Sequence, residues 1–94
     1  MGNIAVIALG GNALTPKGSK GTYKELTQNI KRACTNILPL LKTHKVVIVS
    51  GSGPQIGNLL LQNELSKSRV PSMPLDVLDA ELEGELGYLI QQQI

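Results

Sequence analysis

The stretch Ile4-Ala5-Val6-Ile7-Ala8-Leu9 runs without a polar side chain straight into Gly10-Gly11-Asn12. Val46-Val47-Ile48-Val49 repeats the device and ends in Ser50-Gly51-Ser52-Gly53-Pro54. Continuous apolar runs of this length read as strands covered on both faces, the mark of a parallel sheet. A helical pattern lies between them, and strand–helix–strand order implies a right-handed crossover joining parallel neighbours. Both glycine turns then open at the C-terminal edge of one sheet, where ligands settle in open α/β folds. Backbone N–H groups freed at such turns suit an anion, phosphate above all.

The intervening residues divide cleanly. Thr15 to Gly21 is a polar, glycine-rich loop carrying Lys17 and Lys20. Thr22 followed by Glu25 makes a capping box, which predicts a helix beginning near Tyr23. Its apolar face runs through Leu26, Ile30, Ala33, Ile37 and Leu41, and Pro39 kinks or ends it near Leu38. A further helix opens at Pro54, a favoured first helical residue, and runs to about Ser68. Val70-Pro71-Ser72-Met73-Pro74 reads as an extended linker. Asp76 then caps a last helix with the stripe Leu78, Leu82, Leu86, Leu89. Gly84 and Gly87 on that helix weaken it, which predicts close backbone packing in the core or at an interface. His44, with no triad or metal spacing to any partner, reads as a surface turn residue before the second strand.

At 94 residues the chain makes one domain at most, and its core is aliphatic because Phe and Trp are absent. Cys34 is the single cysteine, so no internal disulfide forms, and a reducing, cytoplasmic setting is expected. Its place in a helical apolar pattern makes it a packing residue. No basic segment precedes the first apolar run, so no signal peptide is expected, and no apolar stretch approaches the ~20 residues of a membrane span. Residues 1–70 carry all nine Lys and Arg against Glu25 and Glu64, whereas residues 71–94 carry five acids and no base. The basic part coincides with the glycine turns, as an anion site prefers. Scattered bases without an aromatic platform argue against nucleic-acid binding.

Spacing narrows the chemistry. Gly51-Ser52-Gly53-Pro54-Gln55-Ile56-Gly57 is G-x-G-x-x-x-G, one residue off the dinucleotide fingerprint, and no P-loop motif with its lysine occurs. The site residues proposed from sequence are therefore Gly10, Gly11 and Asn12 in the first turn and Gly51, Ser52 and Gly53 in the second. Together they suit a phosphate or carboxylate; no metal set and no certain catalytic side chain is read.

A set of collinear motifs carries a resemblance: Ala8-Leu9-Gly10-Gly11-Asn12-Ala13-Leu14; Gly51 with Gly53-Pro54-Gln55-Ile56-Gly57-Asn58; Leu60-Leu61-Gln62-Asn63-Glu64; Met73-Pro74-Leu75-Asp76-Val77; and Gly87-Tyr88 with Gln91-Gln92. In these the chain resembles the amino acid kinase family, and within it the carbamate kinase branch. The resemblance implies an α/β fold, here part of a three-layer αβα sandwich with parallel strands. It also implies reversible phosphoryl transfer between ATP and carbamate, with ATP/ADP and Mg²⁺ as cofactors and carbamate or carbamoyl phosphate as the small anionic substrate. Gly10, Gly11 and Asn12 would surround the transferring phosphoryl group, and Gly51, Ser52 and Gly53 would hold the small substrate.

Family members are several times longer, so residues 1–94 are expected to be a single partial domain, the substrate-side N-terminal part without the nucleotide-binding half. By itself such a chain is expected to be catalytically incomplete, and to act as a homo-oligomer or with a second chain. The family's loop usually reads His-Gly-Asn-Gly where this chain has Ser50-Gly51-Ser52-Gly53, which removes an asparagine amide from the substrate turn. Asp79-Ala80-Glu81-Leu82-Glu83 likewise stands where the family is neutral and small. Two other readings stay open: a non-catalytic self-associating or partner-binding module, and a dinucleotide-binding fragment.

Overall fold

The computed structural model describes residues 2–94. Strand β1 (Asn3–Leu9) leads into a one-turn helix α1 (Gly11–Leu14), then a loop and α2 (Tyr23–Ile37). A 3₁₀ segment (Leu38–Lys42), β2 (His44–Ser50), α3 (Gly53–Ser66) and α4 (Leu75–Gln91) follow. The strands pair in parallel, from Asn3 opposite His44 to Leu9 opposite Ser50, so the fold is α/β with both glycine turns at one sheet edge.

The local signals explain the elements. Thr22 Oγ1 accepts the Glu25 N–H at 3.1 Å, and Glu25 Oε1 accepts the Thr22 N–H at 3.0 Å, completing the capping box that starts α2. Leu26, Ile30, Cys34 and Ile37 form its buried stripe. Pro39 lacks an N–H and its ring crowds the preceding turn, so the α-helical winding stops at Ile37 and tightens to 3₁₀. On α4 the stripe Leu78, Leu82, Leu86 and Leu89 is buried throughout, joined by Ile90.

The core lies on one side of the sheet. Ile7, Val46 and Ile48 pack with Leu9, Leu14, the α2 stripe, Leu86, Leu89 and Ile90. Each fully buried aliphatic side chain among these contributes about 1.5–3 kcal/mol by leaving water.

Several expectations are corrected. The strands are covered on one face only among the described residues: on the other, Val6 is 68% exposed and its cross-strand partner Val47 is 49% exposed. Gly10 also starts a helix: its carbonyl accepts the N–H of Ala13 at 3.0 Å and of Leu14 at 3.3 Å, beginning α1. His44 is the first residue of β2, half-buried, with its Nδ1 2.7 Å from Thr43 Oγ1. The position before α4 falls to Pro74, whose carbonyl accepts the N–H groups of Val77 and Leu78, while Asp76 lies within the first turn. Side chains built at Gly84 and Gly87 would meet nothing within 4 Å, so neither glycine is needed for close packing within this chain.

Candidate functional site

Leu9 and Ser50 are register partners at the last rung of the sheet. The next residues of both strands therefore leave the same edge together. The Gly51 N–H donates to the Leu9 carbonyl at 3.1 Å, carrying the pairing one step past the strands. A Cβ on Gly11 would lie 2.7 Å from Pro54 Cδ and 3.3 Å from the Gly53 nitrogen, so the two turns touch backbone to backbone. Asn29 Nδ2 donates to the Leu14 carbonyl at 2.9 Å and ties α2 to the end of α1. Gln55, buried in the first turn of α3, donates through Nε2 to Thr15 Oγ1 and ties α1 to α3. Its Oε1 is enclosed with no partner.

None of the turn glycines needs a left-handed backbone; among the described residues only Gly18 and Gly21 have positive φ. What the turns share is open space. A Cβ at Gly10 or Gly53 would meet no atom within 4 Å, and at Gly51 only the Gly11 nitrogen, at 3.7 Å. The first N–H groups of α3, on Gly53 and Gln55, have no acceptor inside the helix, and its dipole places roughly half a positive charge there. Such an arrangement can hold and orient an anion. Gly10, Gly11, Asn12, Gly51, Ser52 and Gly53 are thus brought together in space.

Part of the basic charge lies away from the turns. Lys42, His44 and Lys45 flank Gly2 at the far end of the sheet, a strand length of roughly 20 Å from the turns. The charged side chain fixed at the start of α3 is an acid. Ser52 Oγ donates to Asp79 Oδ1 at 3.0 Å, and Ser52 leaves the α3 N–H groups without a side-chain cap. From sequence Asp79 is one of five acids after residue 70 and opens the run Asp79–Glu83 that departs from the resembling family, with no partner assigned to it. Its link to Ser52, 27 residues away, arises from the packing of α4 on α3 and has no local signal.

Residues 3–93 match the profile of the amino acid kinase family, and the chain belongs to that family. It is 41% identical over 97 residues to a carbamate kinase of Pyrococcus furiosus, covering all of this chain and 31% of that protein. To a carbamate kinase of Haemophilus influenzae it is 46% identical over 89 residues, covering 95% of this chain and 28% of the relative. The solved carbamate kinase of Giardia lamblia bound to AMP-PNP superposes with a TM-score of 0.93 at 41% identity, over 98% of this chain and 33% of that one. The chain thus spans about a third of the length of the relatives it matches.

Proposed function

We propose that these residues form the phosphoryl- and carbamate-binding side of a carbamate kinase, acting in reversible phosphoryl transfer between ATP and carbamate. The observation that carries this reading is the contact of the two glycine turns, Gly11 against Pro54, in a chain similar along its whole length to carbamate kinases. Transfer of this kind depends mainly on positioning and on stabilising charge. Gly10, Gly11 and Asn12 take the transferring phosphoryl group; Gly51, Ser52 and Gly53 take the carbamate end. Because the chain spans 33% of the relative that holds AMP-PNP, the nucleotide is assigned to residues outside this stretch, and the 94 residues by themselves are expected not to turn over.

The nucleotide is ATP or ADP on the strength of the relative that holds AMP-PNP. Mg²⁺ would screen the phosphates, held mainly by the phosphate oxygens themselves. No three His, Cys, Asp or Glu residues gather into a metal site among the described residues, so no step is derived through the ion. No described helix is long and apolar enough to cross a membrane, and the single buried thiol suits a cytoplasmic setting.

A second reading, a self-associating or partner-binding module, draws on the apolar surface at Val6, Val47 and on α3, where Leu61 and Leu65 are exposed. A strictly monomeric, folded chain in sedimentation removes it.

The direct test follows the amide resonances of Gly51 and Gly53 on adding carbamoyl phosphate, beside an assay for ATP formation from ADP, Mg²⁺ and carbamoyl phosphate. Shifts that Gly51→Val abolishes support the site. Absence of both shifts and ATP overturns it, and ATP formation by the 94 residues alone overturns only their incompleteness.

A further inference from the structure

The second turn presents donors. Its backbone offers the N–H groups of Gly53 and Gln55, and the Ser52–Asp79 pair brings a hydroxyl and a carboxylate acceptor beside them. A carbamate or carbamoyl group needs both kinds of partner: its oxygens accept, whereas its amino group carries N–H donors that lose affinity if left unpaired. Ser52 gives its only proton to Asp79 Oδ1, so the Ser52 oxygen lone pairs and Asp79 Oδ2 remain as acceptors; among the described residues none donates to Oδ2. Position 52 is also where the resembling family usually has an asparagine, whose amide would supply an acceptor itself.

We infer that Asp79 is a specificity-determining residue, which together with Ser52 selects a substrate carrying an amino group at the α3 turn. The inference rests on the proposed function and deepens it. The carboxylate fixes orientation as well. Its negative charge repels a phosphoryl group from the start of α3, so the phosphoryl end lies over Gly10, Gly11 and Asn12 and the amino end faces Asp79. A substrate of the same shape with a methyl group in place of the amino group leaves both acceptors without that donor and binds more weakly.

Carbamoyl phosphate and acetyl phosphate differ in that one group and make a matched pair of probes. Titrations of the full chain read by the Gly51 and Gly53 amides are expected to show carbamoyl phosphate binding about tenfold more tightly, the size of one charge-assisted hydrogen bond. Asp79→Ala brings the ratio close to one, with acetyl phosphate held as tightly as before or more so because a repelling charge is gone. Asp79→Asn, which keeps an acceptor for Ser52, retains part of the preference while tightening acetyl phosphate. A purely structural role for Asp79 weakens both ligands by the same factor in Asp79→Ala, and that result overturns the inference. So does an unaltered ratio in the variant, or equal binding of the two probes by the parent chain; both leave the anion site standing. Binding of neither probe by the parent chain overturns the site and the inference together.

Discussion

Gly11 and Pro54 lie so close that no side chain fits between them: a Cβ at position 11 would approach Pro54 Cδ to 2.7 Å. The proline ring is rigid and the Gly53 nitrogen stands behind it at 3.3 Å, so neither neighbour yields cheaply. Gly11→Ala is expected to destabilise the chain by about 1–3 kcal/mol, the usual cost of overpacking, and to spread the two turns. Urea unfolding of the variant against the parent measures the first, and amide shifts at Gly51 and Gly53 report the second.

Gly53 makes the opposite case. A Cβ there meets nothing within 4 Å, and the residue begins a helix, so Gly53→Ala should leave stability within about 0.5 kcal/mol of the parent. The added methyl group occupies the space proposed for the substrate, and carbamoyl phosphate binding is expected to weaken. Loss of binding at unchanged unfolding midpoint separates this glycine from Gly11.

The contrast shows which parts of the fold were legible. Thr22 with Glu25, Pro39 and the Leu78–Leu89 stripe act through neighbours three or four residues away, and each placed its helix correctly. The pairing of the two turns followed from strand–helix–strand order, because a crossover leaves few alternatives. What failed depended on distant chain. Periodicity cannot say whether a second layer covers Val6 and Val47, nor that α4 would lay Asp79 beside Ser52. Gly84 and Gly87 read from sequence as packing in the core or at an interface, and within this chain a Cβ at either meets nothing within 4 Å.

Glu25 makes the start of α2 sensitive to acid. The Thr22 backbone N–H and hydroxyl donate to its carboxylate, with the Lys20 N–H also within reach, and these bonds hold its pKa below the ordinary value of 4.5. A group favoured in its charged form when folded contributes stability that is complete above its unfolded pKa and disappears as pH falls through the lowered folded value. The parent chain should therefore exceed Glu25→Gln in urea midpoint at pH 6, with the gap closing below pH 4.5. A gap that persists unchanged into acid would contradict this.

Val6 and Val47 face each other across the sheet on its bare side, with Ile4 and Val49 also exposed there. Contiguous apolar surface of this kind binds hydrophobic dyes and favours association. The 94-residue chain is expected to enhance the fluorescence of anilinonaphthalene sulfonate while folded. Replacing both residues with threonine, which keeps the strand shape and adds hydroxyls, should cut that signal several-fold without loss of helical circular dichroism.

Cys34 gives a reading of α2 packing that needs no ligand. Its side chain is 1% exposed, in the core with Ile30 and Ile37 on the same helix stripe, and burial pushes its thiol pKa up. Thiolate is the reactive form, so both access and ionisation suppress attack on a disulfide reagent. At pH 8 the folded chain should react far more slowly than free cysteine, at a rate set by opening of α2, whereas the chain in guanidinium should release one equivalent at once. Cys34→Ala removes only the sulfur and is expected to cost about 1 kcal/mol. Reaction of the folded chain as fast as free cysteine would show that α2 does not seat its Leu26–Ile37 stripe against the sheet.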